Sequence, residues 1–372
     1  MLHITYVFAD TPQELNTSNF FAFTPSRAIN RSGKAVCYSI YIGDFGTNTP
    51  NANELLEKSD IILVERNYRE DVIKQIEYWK AKGKLVLGWF DDGYHLMRNT
   101  NSSYPYWIEG RAISYSMDGK IQSETLINPK PLVTFKEALG KFHGYLCPSK
   151  YLMNEFKDYG KGYYFPNLFP ARNYLSLPPK ERNSDVLIGW GGSLSHYQSF
   201  EESNIIPALR RVLEKRNNVK LLIAGDHRVY DLIKIPENKK MFQGYVPAEK
   251  WPETVNKFDI GLAPLSGMYD RCRSHIKIAE YMMLKIPFIA SDNVSYDDLK
   301  WVQSGKIVKN TTKNWETALN DMLDNLGKYV TIAYNEPYEY AVKEFDVNNK
   351  VDFILNFYRE IAKENNIVLE KK

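Results

Sequence analysis

Met268-Tyr-Asp-Arg-Cys-Arg-Ser-His-Ile-Lys-Ile-Ala-Glu-Tyr-Met-Met-Leu-Lys-Ile-Pro-Phe-Ile-Ala-Ser-Asp-Asn293 is the stretch from which the fold is read. It divides into a polar loop, an amphipathic helix and a short strand. Ser274 is placed to cap the helix through its hydroxyl, Ile276, Ala279 and Met283 recur as a buried stripe, and Pro287 ends the helix. Residues 288–290 are an apolar run of the kind buried on both faces of a parallel sheet. A helix amino terminus flanked by Arg271, Arg273 and Lys277 offers free N–H groups and positive charge to a phosphate or diphosphate. Glu280, one turn further in, is placed to accept hydrogen bonds from the vicinal hydroxyls of a ribose. The spacing of Lys277 and Glu280 also describes a surface ion pair worth only ~0.2–0.5 kcal/mol.

The run Ser274-x-x-Lys277-x-x-Glu280-Tyr281-Met282, followed by Pro287 and Ala290-Ser291, resembles the donor-binding signature of GT-B glycosyltransferases, particularly the retaining group called family 4. The resemblance implies that Glu280 binds the nucleotide ribose, while Arg271, Arg273, Ser274 and Lys277 hold the diphosphate. The family usually has Gly two residues before the Pro, where this chain has Lys285.

With 372 residues the chain is too long for one ordinary core, and two domains are expected. Its 44% hydrophobic and 25% charged content is that of a globular protein. A formal charge of +3 falls short of the footprint of a dedicated nucleic-acid binder. Cys37, Cys147 and Cys272 are far apart and odd in number, which fits neither a disulfide framework nor a zinc site and points to a reducing, cytoplasmic setting. The amino terminus reads as a first strand rather than a signal peptide. No run approaches the ~18–20 apolar residues of a membrane span, so any membrane contact is expected to be peripheral.

In the first half, apolar runs at 4–8, 35–41, 61–64, 85–90 and 145–147 alternate with amphipathic segments, the pattern of a parallel sheet covered by helices. Val72, Ile76 and Trp79 mark one face of a helix over 69–82, stopped by Gly83. Such strands deliver functional groups at their carboxyl ends, here Glu65 and Arg66 after one strand and Asp91, Asp92 and His95 after the next. The segment Gly83-Lys-Leu-Val-Leu-Gly-Trp-Phe-Asp-Asp92 is similar to one in the same glycosyltransferases, in which a paired-Asp motif faces the sugar. This makes Asp91, Asp92 and His95 catalytic candidates. Paired Asp reads equally as a divalent-metal ligand set or a turn cap.

Residues 99–132 break the rhythm and read as a long irregular insertion. Tyr104, Tyr106, Trp107 and Tyr115 make it either an acceptor-facing loop or an ordinary aromatic packing patch. The segments at 142–152 and 164–170 resemble the last strand and helix of the family's amino domain and its Pro-Asn exit. The expected division is therefore an amino-terminal acceptor-binding domain over 1–172 and an exposed linker at 173–184. A nucleotide-sugar domain over 185–342 follows, then a terminal helix over 343–372 that crosses back to the first domain.

The second half opens with Asp185-Val-Leu-Ile-Gly-Trp-Gly-Gly-Ser193, a strand entering a glycine turn. Gly191 and Gly192 allow close approach of backbone to a ligand, and the amides that follow can face phosphate. The longer string through Ser195 and His196 resembles the opening of the donor domain in a bacterial subgroup acting on polysaccharides. Many members carry an Arg and a Lys here; this chain offers Ser193, Ser195 and His196 instead, so either Arg271, Arg273 and Lys277 carry the diphosphate load or donor binding is weak. A helix over 200–215 is expected next. Phe242-Gln-Gly-Tyr-Val-Pro resembles the segment whose backbone edges the base, which adds Gly244 and Tyr245 to the donor set. In the last segment Val351, Ile354, Leu355, Tyr358 and Ile361 share one face of a helix.

The resemblance implies an α/β GT-B fold, two Rossmann-like domains with parallel sheets facing across a cleft. It implies transfer of a sugar from a UDP- or GDP-sugar to a hydroxyl of a glycan, lipid-linked or other acceptor, retaining and without a metal, with Lys277 assisting the leaving diphosphate. Three rivals share the architecture: a nucleotide-sugar epimerase or phosphorylase, a sugar-nucleotide-binding module without catalysis, and a transferase acting on modified DNA bases. The last would use Arg27, Arg31, Lys34, Arg66 and Arg69 as a basic lip.

Overall fold

The computed structural model of the protein describes residues 1–10, 17–116, 120–178, 180 and 184–369. The chain forms two compact units. One comprises Met1–Met97, Ser103–Pro170 and the segment from Asp346 onward, the other Arg98–Ser102 and Ala171–Phe345.

The first unit holds a six-stranded sheet of β1 (Leu2–Phe8), β2 (Ala35–Tyr41), β3 (Ile61–Glu65), β4 (Leu85–Trp89), β7 (Gly144–Cys147) and β8 (Gly162–Tyr164), ordered β2-β1-β3-β4-β7-β8. Every pairing in it is parallel. β3 and β4 are buried at each residue, as continuous apolar runs covered on both faces must be. The helix Glu70–Ala81 buries Val72, Ile73, Ile76 and Trp79, and Gly83 follows it with φ +78°.

The insertion at 99–132 is more regular than its sequence indicates. It contains a π-helical turn, Pro105–Glu109, and an antiparallel pair, β5 (Arg111–Tyr115) and β6 (Ile121–Leu126). Each residue of β6 is exposed, so no buried face imposes the apolar alternation by which a strand is recognised. Trp107 is buried and stacks on Tyr94 at 3.9 Å, ordinary aromatic packing rather than an open loop surface.

The terminal helix Val351–Glu364 belongs to the first unit, where Val351, Ile354, Leu355, Tyr358 and Ile361 join the core formed with Ile4, Leu63 and Leu87. Tyr358 and Tyr6 hydroxyls meet at 3.2 Å inside that core.

The second unit repeats the plan with β9 (Val186–Gly192), β10 (Val219–Gly225), β11 (Lys240–Gln243), β12 (Ile260–Ala263), β13 (Phe288–Ser291) and β14 (Gly305–Val308), ordered β11-β10-β9-β12-β13-β14 and parallel throughout. Trp190, Leu221, Ile260 and Trp315 lie at the centre of its core. The helix expected over 200–215 is split into Tyr197–Glu202 and Ile205–Lys215, because Asn204 between them takes a left-handed backbone at φ 58°.

The segment read as an exposed linker begins with a short helix, Arg172–Leu175, that buries Tyr174. Residues 179 and 181–183 of it lie outside the described set. Cys37, Cys147 and Cys272 are all buried. Among the described residues no helix is long and apolar enough to cross a membrane.

Candidate functional site

In each sheet the strand order reverses once, between β9 and β12 in the second unit and between β1 and β3 in the first. Ligands of open parallel sheets bind beyond the carboxyl ends of the strands at such reversals. Both reversals carry polar clusters.

At the β9/β12 reversal the organising helix runs Ile276–Met283. His275 is its amino-terminal flank and no side chain caps it, so Ser274 does not take the role its position indicated. The buried stripe is also broader than expected: Ile278, Ala279, Tyr281, Met282 and Met283 are buried, whereas Ile276 is half-buried. Nor does Pro287 stop the helix. The Lys285 amide donates to the Met282 carbonyl at 3.1 Å and the Ile286 amide to the Tyr281 carbonyl at 2.8 Å, a Schellman closure. Lys285 takes the left-handed position with φ 57°, where the related signature has Gly. That backbone costs a non-glycine residue roughly 1–2 kcal/mol. Its ammonium lies over Tyr334 and Tyr338 at 4.8 and 4.2 Å from the ring centres, contacts worth about 0.5–1 kcal/mol each that hold it there.

Glu280 is 3% exposed and is no surface ion pair. Its Oε1 accepts from Tyr174 Oη at 2.8 Å and from Trp251 Nε1 at 2.9 Å, while Oε2 has no hydrogen bond among the described residues. Burial pushes its carboxyl up to about 7, opposed by Tyr174, Lys277 and Trp251. Gly191 makes this arrangement possible. A Cβ there would come within 2.1 Å of Trp251 Cη2, so the glycine lets the indole lie against β9. The glycine expected to admit a ligand therefore admits a tryptophan.

The cations come from the loop before this helix, Arg273, and from its first turn, Lys277. Arg273 donates from Nη2 to the Ser195 carbonyl at 3.0 Å and to Ser195 Oγ at 2.9 Å, and its Nε is 3.2 Å from Oδ1 of buried Asp270. Its guanidinium also lies 4.8 Å from the centre of the Tyr269 ring. Lys277 Nζ is 3.5 Å from His196 Nε2 and 5.8 Å from the centre of the Trp190 ring. Burial lowers the Lys277 ammonium to about 8; Arg273 lowers it further, and Glu280 and Asp270 oppose the fall. Burial and the two cations hold His196 well below its usual range, so it is neutral and accepts from Lys277. Arg228 braces the same turn from the other side, donating to the Leu194 carbonyl at 2.5 Å while paired with buried Asp226 at 2.8 Å.

The structure thus brings Gly191, Gly192, Ser193, His196, Arg273, Lys277 and Glu280 to one place. It does not bring Arg271, which is exposed and within 3.6 Å of Met268 Sδ. Gly244 and Tyr245 follow β11, and Tyr245 is 61% exposed. Tyr174, Trp251, Asp270 and Arg228 were missed. Only Asp270 and Trp251 had a sequence signal, an acid in the loop before the helix and an aromatic just past the base-edging segment.

At the β1/β3 reversal Glu65 is fully buried. Its Oε2 accepts from the Ala9 amide at 2.7 Å and Ser18 Oγ at 2.6 Å, and Oε1 from Arg66 Nη1 at 2.7 Å. Arg66 also pairs with Asp10. Asp91, one strand over, accepts from Thr17 Oγ1 at 3.2 Å. Burial raises its carboxyl to about 7, helped by Asp92, Glu65 and Asp10 and opposed by Arg66. His95 turns to Glu155 at 3.2 Å and packs against Phe156, and burial lowers its pKa, so it is held among these partners. Among the described residues no group of three His, Cys, Asp or Glu side chains has the geometry to hold a metal ion.

The five cations of the basic lip differ in their surroundings. Arg66 is buried in ion pairs, Lys34 pairs with Asp352 at 2.7 Å, Arg31 donates to Asn348 at 3.2 Å, and Arg69 pairs with Asp71 at 2.8 Å. Arg27 stays exposed, 5.6 Å from the centre of the Phe23 ring.

The family model described as glycosyl transferases group 1 matches residues 187–325. No curated protein matches the chain by sequence. Among solved structures, a glycosyltransferase from Rickettsia africae ESF-5 superposes with a TM-score of 0.64 at 13% identity, over 97% of this chain and 99% of that one. HepE of Anabaena in complex with UDP and glucose gives 0.61 at 13% identity, over 99% and 100%. MnaA of S. aureus with UDP gives 0.56 at 12% identity, over 99% and 98%. At this identity the likeness speaks for the fold, which is GT-B, and the group 1 glycosyl transferase model is matched by part of the second unit, residues 187–325.

Proposed function

We propose that the protein is a glycosyltransferase that takes a nucleoside-diphosphate sugar at the β9/β12 reversal and transfers the sugar to a hydroxyl acceptor bound by the first unit. Arg273, Lys277 and the Ser193–His196 turn hold the diphosphate, and Glu280 receives the ribose hydroxyls on Oε2. The observation that carries this reading is the state of Glu280: buried, one oxygen fixed by two donors, the other unengaged, with two cations close by. With Oε1 held by Tyr174 and Trp251, Oε2 is left to accept, and a ribose diol supplies the donors. As the glycosidic bond breaks, negative charge grows on the diphosphate, and cations fixed in advance stabilise it without reorganising. In this reading the cations replace a metal, and the sugar keeps its anomeric configuration. The solved structures with UDP bound support UDP as the first nucleotide to try.

The test begins with melting curves against UDP, GDP and their sugars, since a ligand at about 100 times its Kd adds roughly 2.7 kcal/mol of stability. Turnover with and without acceptor, with chelator present, and NMR of the product's anomeric proton follow. No stabilisation by any nucleotide rejects the donor site. Conversion of the sugar nucleotide without acceptor gives the protein to the epimerase class instead.

A further inference from the structure

The cluster at the β1/β3 reversal has two polar atoms with no hydrogen bond among the described residues. Asp91 receives its hydrogen bond on Oδ2, and Oδ1 has none among the described residues. Tyr94 is 2% exposed, its ring is stacked on Trp107 at 3.9 Å and met edge-on by Phe135 at 5.1 Å, and its hydroxyl has no hydrogen-bond partner among the described residues. The charge that this hydroxyl senses most is that of Asp91, then Arg66 and Asp92. A group that donates to Asp91 and accepts from Tyr94 completes both, and a hydroxyl does both at once. The charge around them selects further. Arg66 is the guanidinium of this cluster, and Glu65 and Asp10 already engage it, with Asp91 and Asp92 alongside. An incoming anion meets carboxylates and no uncommitted cation in this cluster.

We propose that Asp91 and Tyr94 bind a hydroxyl of a neutral sugar as acceptor, and that the surrounding carboxylates exclude acceptors bearing phosphate, sulfate or carboxylate near that hydroxyl. This deepens the transferase reading and rests on it for the role of acceptor. The cluster sits where the strand order reverses, and Asp91 and Asp92 are partly exposed, so a sugar ring has access. Negative selection by like charge is a common source of specificity.

The experiment uses the full-length protein with UDP in excess, so that anionic probes do not occupy the cationic site. Saturation-transfer NMR compares p-nitrophenyl β-glucoside, β-galactoside and β-N-acetylglucosaminide with p-nitrophenyl β-glucuronide and β-galacturonide. At least one neutral glycoside is expected to bind about tenfold more tightly than its uronide partner. Asp91→Asn narrows that ratio, and Tyr94→Phe weakens the neutral glycoside several-fold while the UDP-induced melting shift is kept. A uronide that binds as well as its neutral partner, no binding of any neutral glycoside, or Tyr94→Phe binding like the parent overturns the proposal. UDP without effect on melting rejects the donor assignment separately, and the glycoside comparison still reads the first unit.

Discussion

At the β9/β12 reversal two cations, Arg273 and Lys277, gather around one carboxylate, Glu280; at the β1/β3 reversal one guanidinium, Arg66, is surrounded by Asp10, Glu65, Asp91 and Asp92. The two sheets are alike in layout, each parallel and each reversing once. The difference lies in what the loops after the strands deliver. Fold alone therefore sets where ligands dock, and the charges on those loops set which ligands. On the functions proposed above, one reversal receives a diphosphate and the other refuses one.

The comparison breaks most sharply if the cations are not the diphosphate site. Lys277→Ala should reduce kcat/KM by roughly 10²–10³, the scale of losing a fixed transition-state partner. Turnover within about threefold of the parent would remove the positive character of this reversal as a cause of function. Arg273→Lys keeps the charge but loses the fork that reaches Asp270 and Ser195 together. We expect about a 10–100-fold loss, seen as weaker UDP binding by calorimetry, with the melting temperature of the free protein little changed.

A pH titration sharpens the contrast. Lys277 is held down to about 8, so it is charged below that value and loses its proton above it. A bound diphosphate raises the ammonium's pKa again, so UDP affinity should fall up to about tenfold per pH unit above 8. Lys277→Arg, which stays charged, should flatten the profile. A flat profile in the parent would mean that Lys277 does not face the diphosphate.

The smallest effects are expected at the residues that position Glu280. Tyr174→Phe and Trp251→Phe each remove one hydrogen bond, worth about 0.5–1.5 kcal/mol, and should raise the KM for donor about two- to tenfold while kcat holds. A fall in kcat alone would place these groups nearer the chemistry.

Much of this was legible in the chain. The strands at 61–64 and 85–90 were apparent because a strand buried on both faces must be apolar throughout. Arg273, Lys277 and Glu280 were apparent because they lie within one loop and two helical turns. Tyr174 was not, since it reaches Glu280 across 106 residues from a segment whose Pro and charge content reads as a connector. Gly191 has a structural role that its sequence did not reveal. Its missing Cβ makes room for Trp251, and a sequence does not say which neighbour fills the space a glycine leaves. The β5/β6 pair was hidden because exposed strands carry no buried face.

By itself, then, the sequence determined the alternation of apolar runs and amphipathic helices, and with it two parallel sheets, because burial on both faces imposes a local pattern that each segment displays on its own. It also determined which short loops hold the charge. Only the tertiary structure decided which charges remain available to a ligand. Arg66 was neutralised by Glu65 and Asp10, Arg271 was left at the surface, and one oxygen of Glu280 was fixed by Tyr174 and Trp251. These outcomes depend on distances between residues far apart in the chain, and electrostatic and hydrogen-bond energies follow those distances rather than spacing along the sequence.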